Sequence, residues 1–265
     1  MRSVAEQSVD ELGGPISVLT RQKSDHVTLN ELLEELRVTA GAKQQRVLLR
    51  IHRLVFPHAF AEESVLWPVM RRVLPEGEEL TLEVEQEHQE VNELVSRLER
   101  LKPGNPEREP ILDRLIEVLR EDVRDEEDEL FPRLQALVSR TQLQLLGVAW
   151  EVVRRIAPTR AHPIVARRPP GNVVAALPLT AIDRLRDAVD ARRYGAAGPR
   201  RWVLDPVSAV LTQAAHAVEH LPILRRGEDA STRYDGARPG SPWGAALGAA
   251  GVAVAVVVWR RRRRR

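Results

Sequence analysis

The 265-residue chain predicts an all-α protein: an up-down four-helix bundle with an extra helix, an extended linker and a C-terminal apolar segment. From about residue 15 to 138, apolar residues recur at spacings of three and four. That rhythm breaks near Gly41, at residues 75–77 and across 102–110, leaving four segments each long enough for a substantial helix. Short connections between long amphipathic helices make sequential neighbours antiparallel. Composition agrees. With 43% apolar residues but three Phe, two Tyr and five Trp, the core is aliphatic, which suits helices better than a β-sandwich.

Taken in order, residues 1–14 form a polar tail without the apolar run of a signal peptide, so export by the N-terminal route is not expected. Residues 15–158 hold the bundle and, at 140–156, a fifth helix on its outside. Prolines 158, 163, 169 and 170 forbid a helix and place a boundary there. Residues 159–226 read as a Pro-rich linker with short amphipathic helices. Thr180 caps one that carries Ile182, Leu185 and Val189; Asp205 and Pro206 start another that carries Val207, Val210, Leu211, Ala214 and Val218. Residues 227–242 read as a flexible tether. Residues 243–259, WGAALGAAGVAVAVVVW, are uncharged and bracketed by tryptophans, as expected of a transmembrane or membrane-inserted segment at the short limit of spanning. Gly244 and Gly248 have the small-residue spacing that lets membrane helices pair into a homodimer. Arg260 to Arg265 would bind anionic lipid head groups. Their place directly after an apolar run favours lipid over nucleic acid, and the bundle is expected at the cytoplasmic face of a membrane.

The absence of cysteine excludes disulfides, thiolate catalysis and Cys-ligated zinc or iron–sulfur sites, so any metal must be held by His and carboxylates. No phosphate-binding glycine loop or serine-hydrolase elbow is present. HAVEH, residues 216–220, has the spacing of some zinc peptidases but lacks a third ligand.

The informative residues lie on the buried stripes. The second helix runs Leu48, Ile51, Val55, His58, Glu62, Val65, Val69, and the fourth runs Leu112, Leu115, Leu119, Asp122, Glu126, Leu130. The first runs Leu19, Gln22, His26, Leu29, Leu33, Leu36, and the third Val84, His88, Val91, Val95, Leu98. All four helices thus put a His or an acid into the core near mid-length, where an unpaired charge costs several kcal/mol. Three imidazoles and three carboxylates with no lysine or arginine on those stripes form a ligand set for one or two divalent cations. Iron or manganese fits best, and zinc is an alternative. Glu63 and Glu127 fall off the seam and read as outer or surface groups, and His52 as structural or exposed.

An eleven-residue repeat carries four of these six residues: HAFAEESVLWP, 58–68, aligns without a gap to DVRDEEDELFP, 122–132. The order His26, then His58-x-x-x-Glu62 with an aromatic-Pro, then His88, then a second x-x-x-Glu126 with Phe-Pro resembles the hemerythrin-like (HHE cation-binding) domains of bacteria over about residues 15–157. APTRAHPIVARRPPGN, 157–172, is similar to the tail after this domain in many actinobacterial members. The resemblance implies a non-haem iron site, most often di-iron and carboxylate-bridged, that binds or reacts with dioxygen, peroxide or nitric oxide. His26, His58, Glu62, His88 and Glu126 would be ligands. Mononuclear iron or manganese is the other metal expectation.

The family's usual fourth histidine falls at Asp122. A carboxylate there adds negative charge, favours the ferric state and removes a nitrogen donor, which disfavours reversible oxygen carriage. The sequence assigns no catalytic residue. Its readings are an iron protein reacting with or sensing these small molecules at the membrane, or a metal-free helical scaffold in the same place.

Overall fold

The computed structural model describes residues 1–102, 104–193 and 199–234. Its helices are α1 (Val18–Arg37), α2 (Gly41–Ala61), α3 (Trp67–Val73), α4 (Gly77–Arg100), α5 (Arg108–Asp125), α6 (Phe131–Leu137), α7 (Arg140–Arg155), α8 (Gly171–Arg193) and α9 (Pro199–Glu219). Among the described residues there is no strand. The first four bundle rods are α1, α2 with α3, α4, and α5 with α6, joined by the short turns that the sequence breaks predict.

Rods two and four are each interrupted by one π-helical turn, Glu62–Leu66 and Glu126–Leu130. Both lie inside the eleven-residue repeat, and its proline explains them. Pro68 and Pro132 have no N–H, and in a regular α-helix their rings would press on the carbonyl four residues back. The wide turn avoids this: the Trp67 N–H bonds the Glu62 carbonyl, and the Phe131 N–H bonds that of Glu126. The extra residue also corrects the predicted stripe of the second rod. Val65 and Val69 are only half-buried, whereas Leu66 and Met70 are fully buried.

Two apolar clusters fill the bundle. One is built around Leu33, Leu48, Ile51, Val95 and Leu115, the other around Leu19, Leu66, Trp67, Phe131 and Trp150. The predicted His and acid layer lies between them. Ser139 caps α7 and forms a reciprocal capping box with Gln142. This fifth helix packs on α1 and α2. A Cβ at Gly147 would stand 2.0 Å from the Ile16 carbonyl, so only glycine permits the approach.

Outside the bundle several expectations change. The N-terminal tail is packed, with Val4 and Leu12 fully buried. Residues 157–170 are not a solvated linker: Thr159, Arg160, His162 and Val165 are buried against the bundle. Thr180 and Pro206 lie inside α8 and α9 rather than at their starts. On α8 the buried face carries Asp183, Asp187 and Asp190, while Leu185 is exposed. On α9 Ser208, Ala215 and Glu219 are buried, while Val207 and Val210 are exposed. The cause is a buried charge layer. Arg160 reaches Asp187 at 2.8 Å and Asp190 at 2.9 Å, and His162 sits between Glu219 at 2.8 Å and Asp183 at 3.0 Å.

In the predicted tether, residues 230–232 form a short 3-10 turn. Among the described residues no helix is long and apolar enough to cross a membrane. Residues 243–259 and 260–265, with the insertion, pairing and lipid binding expected of them, lie outside the described residues.

Candidate metal centre

His26 on α1, His58 on α2, His88 on α4 and Asp122 on α5 meet Glu62 and Glu126, which open the two π turns. All six are buried. One donor atom each from His26, His58 and Glu126 lies within 4.8 Å of the others, and the same holds for Glu62, His88 and Glu126. Glu126 is common to both groups. Asp122 stands beside them in neither group, with Oδ1 3.5 Å from His88 Nε2.

Each imidazole is held from both sides. Inward, His26 Nε2 lies 3.2 Å from Glu126, His58 Nε2 lies 3.1 Å from Glu62, and His88 Nε2 lies 3.7 Å from Glu62. Outward, Nδ1 of His26 meets Glu127 at 2.9 Å, that of His58 meets Asp25 at 3.1 Å, and that of His88 meets Glu63 at 3.1 Å. An outer carboxylate on Nδ1 fixes the tautomer that leaves Nε2 free to ligate, the usual support for a metal-bound histidine. Glu63 is fully buried beside His88 rather than at the surface.

The inner carboxylates call for positive charge. Both oxygens of Glu62, both of Glu126 and Oδ1 of Asp122 are buried without a hydrogen-bond partner, an arrangement that is costly unless positive charge compensates it. Burial lifts the Glu126 carboxyl, and repulsion from Glu62 and Asp122 lifts it further, to about 8. Burial opposes charge on His26, but Glu126 and Glu127 outweigh it and raise the imidazole to about 9. The same contest raises His58 to about 10, through Glu62 and Asp25. The layer demands positive charge, as protons or as metal.

The two halves of the site repeat each other's contacts. His26 with Glu127 matches His88 with Glu63, and the ring of Phe131 stacks on His26 as Trp67 stacks on His88. A cavity of about 20 Å³ opens beside His26, His58, His88 and Asp122, walled by Leu29, Leu54, Val55, Leu119 and Val123. That is room for a water-sized guest.

Asp25 and its neighbour Arg154 were not visible to a stripe argument, because both lie off the seam. A second repeat, DHVTLNEL at 25–32 and EHQEVNEL at 87–94, marks Asp25 and Glu87 as matching acids before matching histidines. Of the remaining histidines, His52 is buried and faces the charge layer around Arg160, where burial lowers it to about 4. In HAVEH, Glu219 is committed to His162 while His220 is exposed, so these residues form no cation cluster.

Comparison with known proteins agrees with this arrangement. The hemerythrin HHE cation binding domain matches residues 17–134. An uncharacterised hemerythrin-like protein of Schizosaccharomyces pombe is 31% identical over 134 residues, covering 50% of this chain and 66% of that protein. A Nostoc protein named as a DNA nickase is 29% identical over 123 residues, covering 46% of this chain but only 34% of its own length. No solved structure gives a significant match. A cation-binding helical bundle with this order of histidines and glutamates places the chain, through residues 17–134, in the hemerythrin HHE cation-binding domain family.

Proposed function

We propose that the bundle binds two iron ions through His26, His58, Glu62, His88, Asp122 and Glu126, and that the centre reacts with or senses dioxygen, peroxide or nitric oxide. The observation that carries the reading is the set of five buried carboxylate oxygens without a hydrogen bond, four of them 3.1–3.7 Å from one of three Nε2 atoms. Charge counting supports two ions over one. Six carboxylates, Asp25, Glu62, Glu63, Asp122, Glu126 and Glu127, stand against the guanidinium groups of Arg154 and Arg167. With neutral imidazoles, two divalent cations neutralise that excess. Glu126, shared by both donor groups, would help to hold an ion in either one. A mixed nitrogen and oxygen set without thiolate suits iron or manganese.

Bound iron would supply a one-electron couple and an open coordination position. The chain's part is to hold three Nε2 atoms inward through Asp25, Glu63 and Glu127, to exclude bulk water with two apolar clusters, and to admit guests only of cavity size. Attachment of residues 243–259 to the cytoplasmic face of a membrane is part of the same proposal and rests on the sequence.

Elemental analysis of the full chain from iron-supplemented cells tests the reading. About two irons per chain, with bleaching or band shifts on adding peroxide or nitric oxide, is the expected result. A bundle that carries no metal and whose melting ignores added iron would overturn it in favour of the scaffold.

A further inference from the structure

The outer carboxylates of the metal centre are themselves held, and the groups that hold two of them come from outside the four rods. Arg154, on α7, pairs through Nη1 with Asp25 Oδ2, the atom that meets His58 Nδ1. The Arg154 guanidinium also lies 5.0 Å over the Trp150 ring, which meets the His58 ring nearly perpendicularly with centroids 5.3 Å apart. Arg167, in the buried segment after α7, places Nη1 3.9 Å from Glu63 Oε1, the atom that meets His88 Nδ1. Its Nη2 is anchored by the His162 and Val165 carbonyls, each at 2.8 Å, so the guanidinium is fixed by backbone rather than by a mobile partner. Neither arginine touches His26, His58, His88 or an inner carboxylate in these contacts.

We propose that Arg154 and Arg167 are positioning residues of the metal centre, acting through Asp25 on His58 and through Glu63 on His88. The inference rests on the proposed iron site. A guanidinium on the outer carboxylate keeps that carboxylate turned toward Nδ1–H. It also draws electron density away from the imidazole, which weakens the ligand's donation. On this account α7 and residues 157–170 belong to the centre. Any movement of these appended elements changes the electronic character of His58 and His88 without touching the metal.

The test uses the full chain loaded with iron. Arg154→Gln and Arg167→Gln are compared with the parent and with Arg155→Gln, an exposed neighbour on α7 whose side chain pairs with Glu151. The expected result is a shift in the visible absorption of the ferric site and in its midpoint potential, with iron released about tenfold faster, as for loss of an outer partner. Arg155→Gln should match the parent. Arg167→Lys should restore most of the parent spectrum, since Arg167 meets Glu63 as a charge at 3.9 Å, whereas Arg154→Lys should restore less. In an Asp25→Asn background, Arg154→Gln should have little further effect on the spectrum, because the route through Asp25 is already cut.

Unchanged spectra and potentials in both Gln variants would overturn the proposal and leave the arginines as ordinary struts. Equal effects of Arg154→Gln with and without Asp25→Asn would overturn the route through Asp25. If a Gln variant fails to fold, its Lys variant decides: a parental spectrum together with a parental release rate at Arg154→Lys overturns the Arg154 arm, and a spectrum far from the parent's at Arg167→Lys overturns the Arg167 arm. A parent chain that takes up no iron would instead sink the iron reading itself, a result separable from the others.

Discussion

Asp122 and His58 hold matching places in the two halves of the site but have different company. His58 turns Nδ1 to Asp25, whereas Asp122 has a second acid, Glu87, in the matching position. Burial and then repulsion from Asp122 push the Glu87 carboxyl up to about 7. Asp122→His would give Glu87 an N–H to accept from and would replace a charged ligand by a neutral one. The expected outcome is a midpoint potential higher by about 60 mV or more, the size of a tenfold shift for one electron, read by spectroelectrochemistry. An unchanged potential would show that Asp122 is not a ligand. Six inner residues were legible because a polar group on an apolar stripe stands out. Asp25, Glu87, Arg154 and Arg167 were not, since off the stripe a charged residue is ordinary.

Among the elements, the four rods and α7 follow directly from spacing and breakers. What spacing could not supply is the π turn, because a 3–4 rhythm assumes one helical pitch throughout. Each wider turn ends just before the proline of its repeat, and in the first of them adjacent glutamates 62 and 63 are both buried. The placement of α7 depends on a different small feature, the missing side chain at position 147. Gly147→Ala should destabilise the protein by about 1–3 kcal/mol through overpacking against the Ile16 carbonyl. Calorimetry would show a lower melting temperature, and an unchanged melt would mean that α7 docks more loosely than described.

Over the whole molecule, the joint between the bundle and the α8–α9 pair was the least legible part. Four prolines read as a spacer, and the apolar residues of α8 read as its inner face. Buried charges reverse that reading: Asp183, Asp187 and Asp190 face inward because Arg160 and His162 meet them there. Removing one side of such a pair leaves the other buried and unpaired, so His162→Leu should cost about 3–5 kcal/mol. The joint also titrates. Burial opposes charge on His162, but Asp183 and Glu219 raise it to about 10, so its contribution is full below about 6.5 and is lost as pH rises toward 10. Glu219, held at about 2 by His162 against the burial penalty, loses its contribution as pH falls from 4.5 toward 2. His52, lowered to about 4 by burial, destabilises the fold as pH falls from 6.5 toward 4. Together they put the expected stability maximum near pH 6.5. A melting temperature that climbs steadily from pH 6.5 to 9 would contradict these assignments.

The small cavity beside Asp122 has a kinetic meaning. A space of about 20 Å³ holds a guest of water size and is too small to hold a chelator. If bound metal leaves only through opening of the bundle, the rate of its extraction should stop depending on chelator concentration once chelator is in excess. That plateau would measure how often the bundle opens.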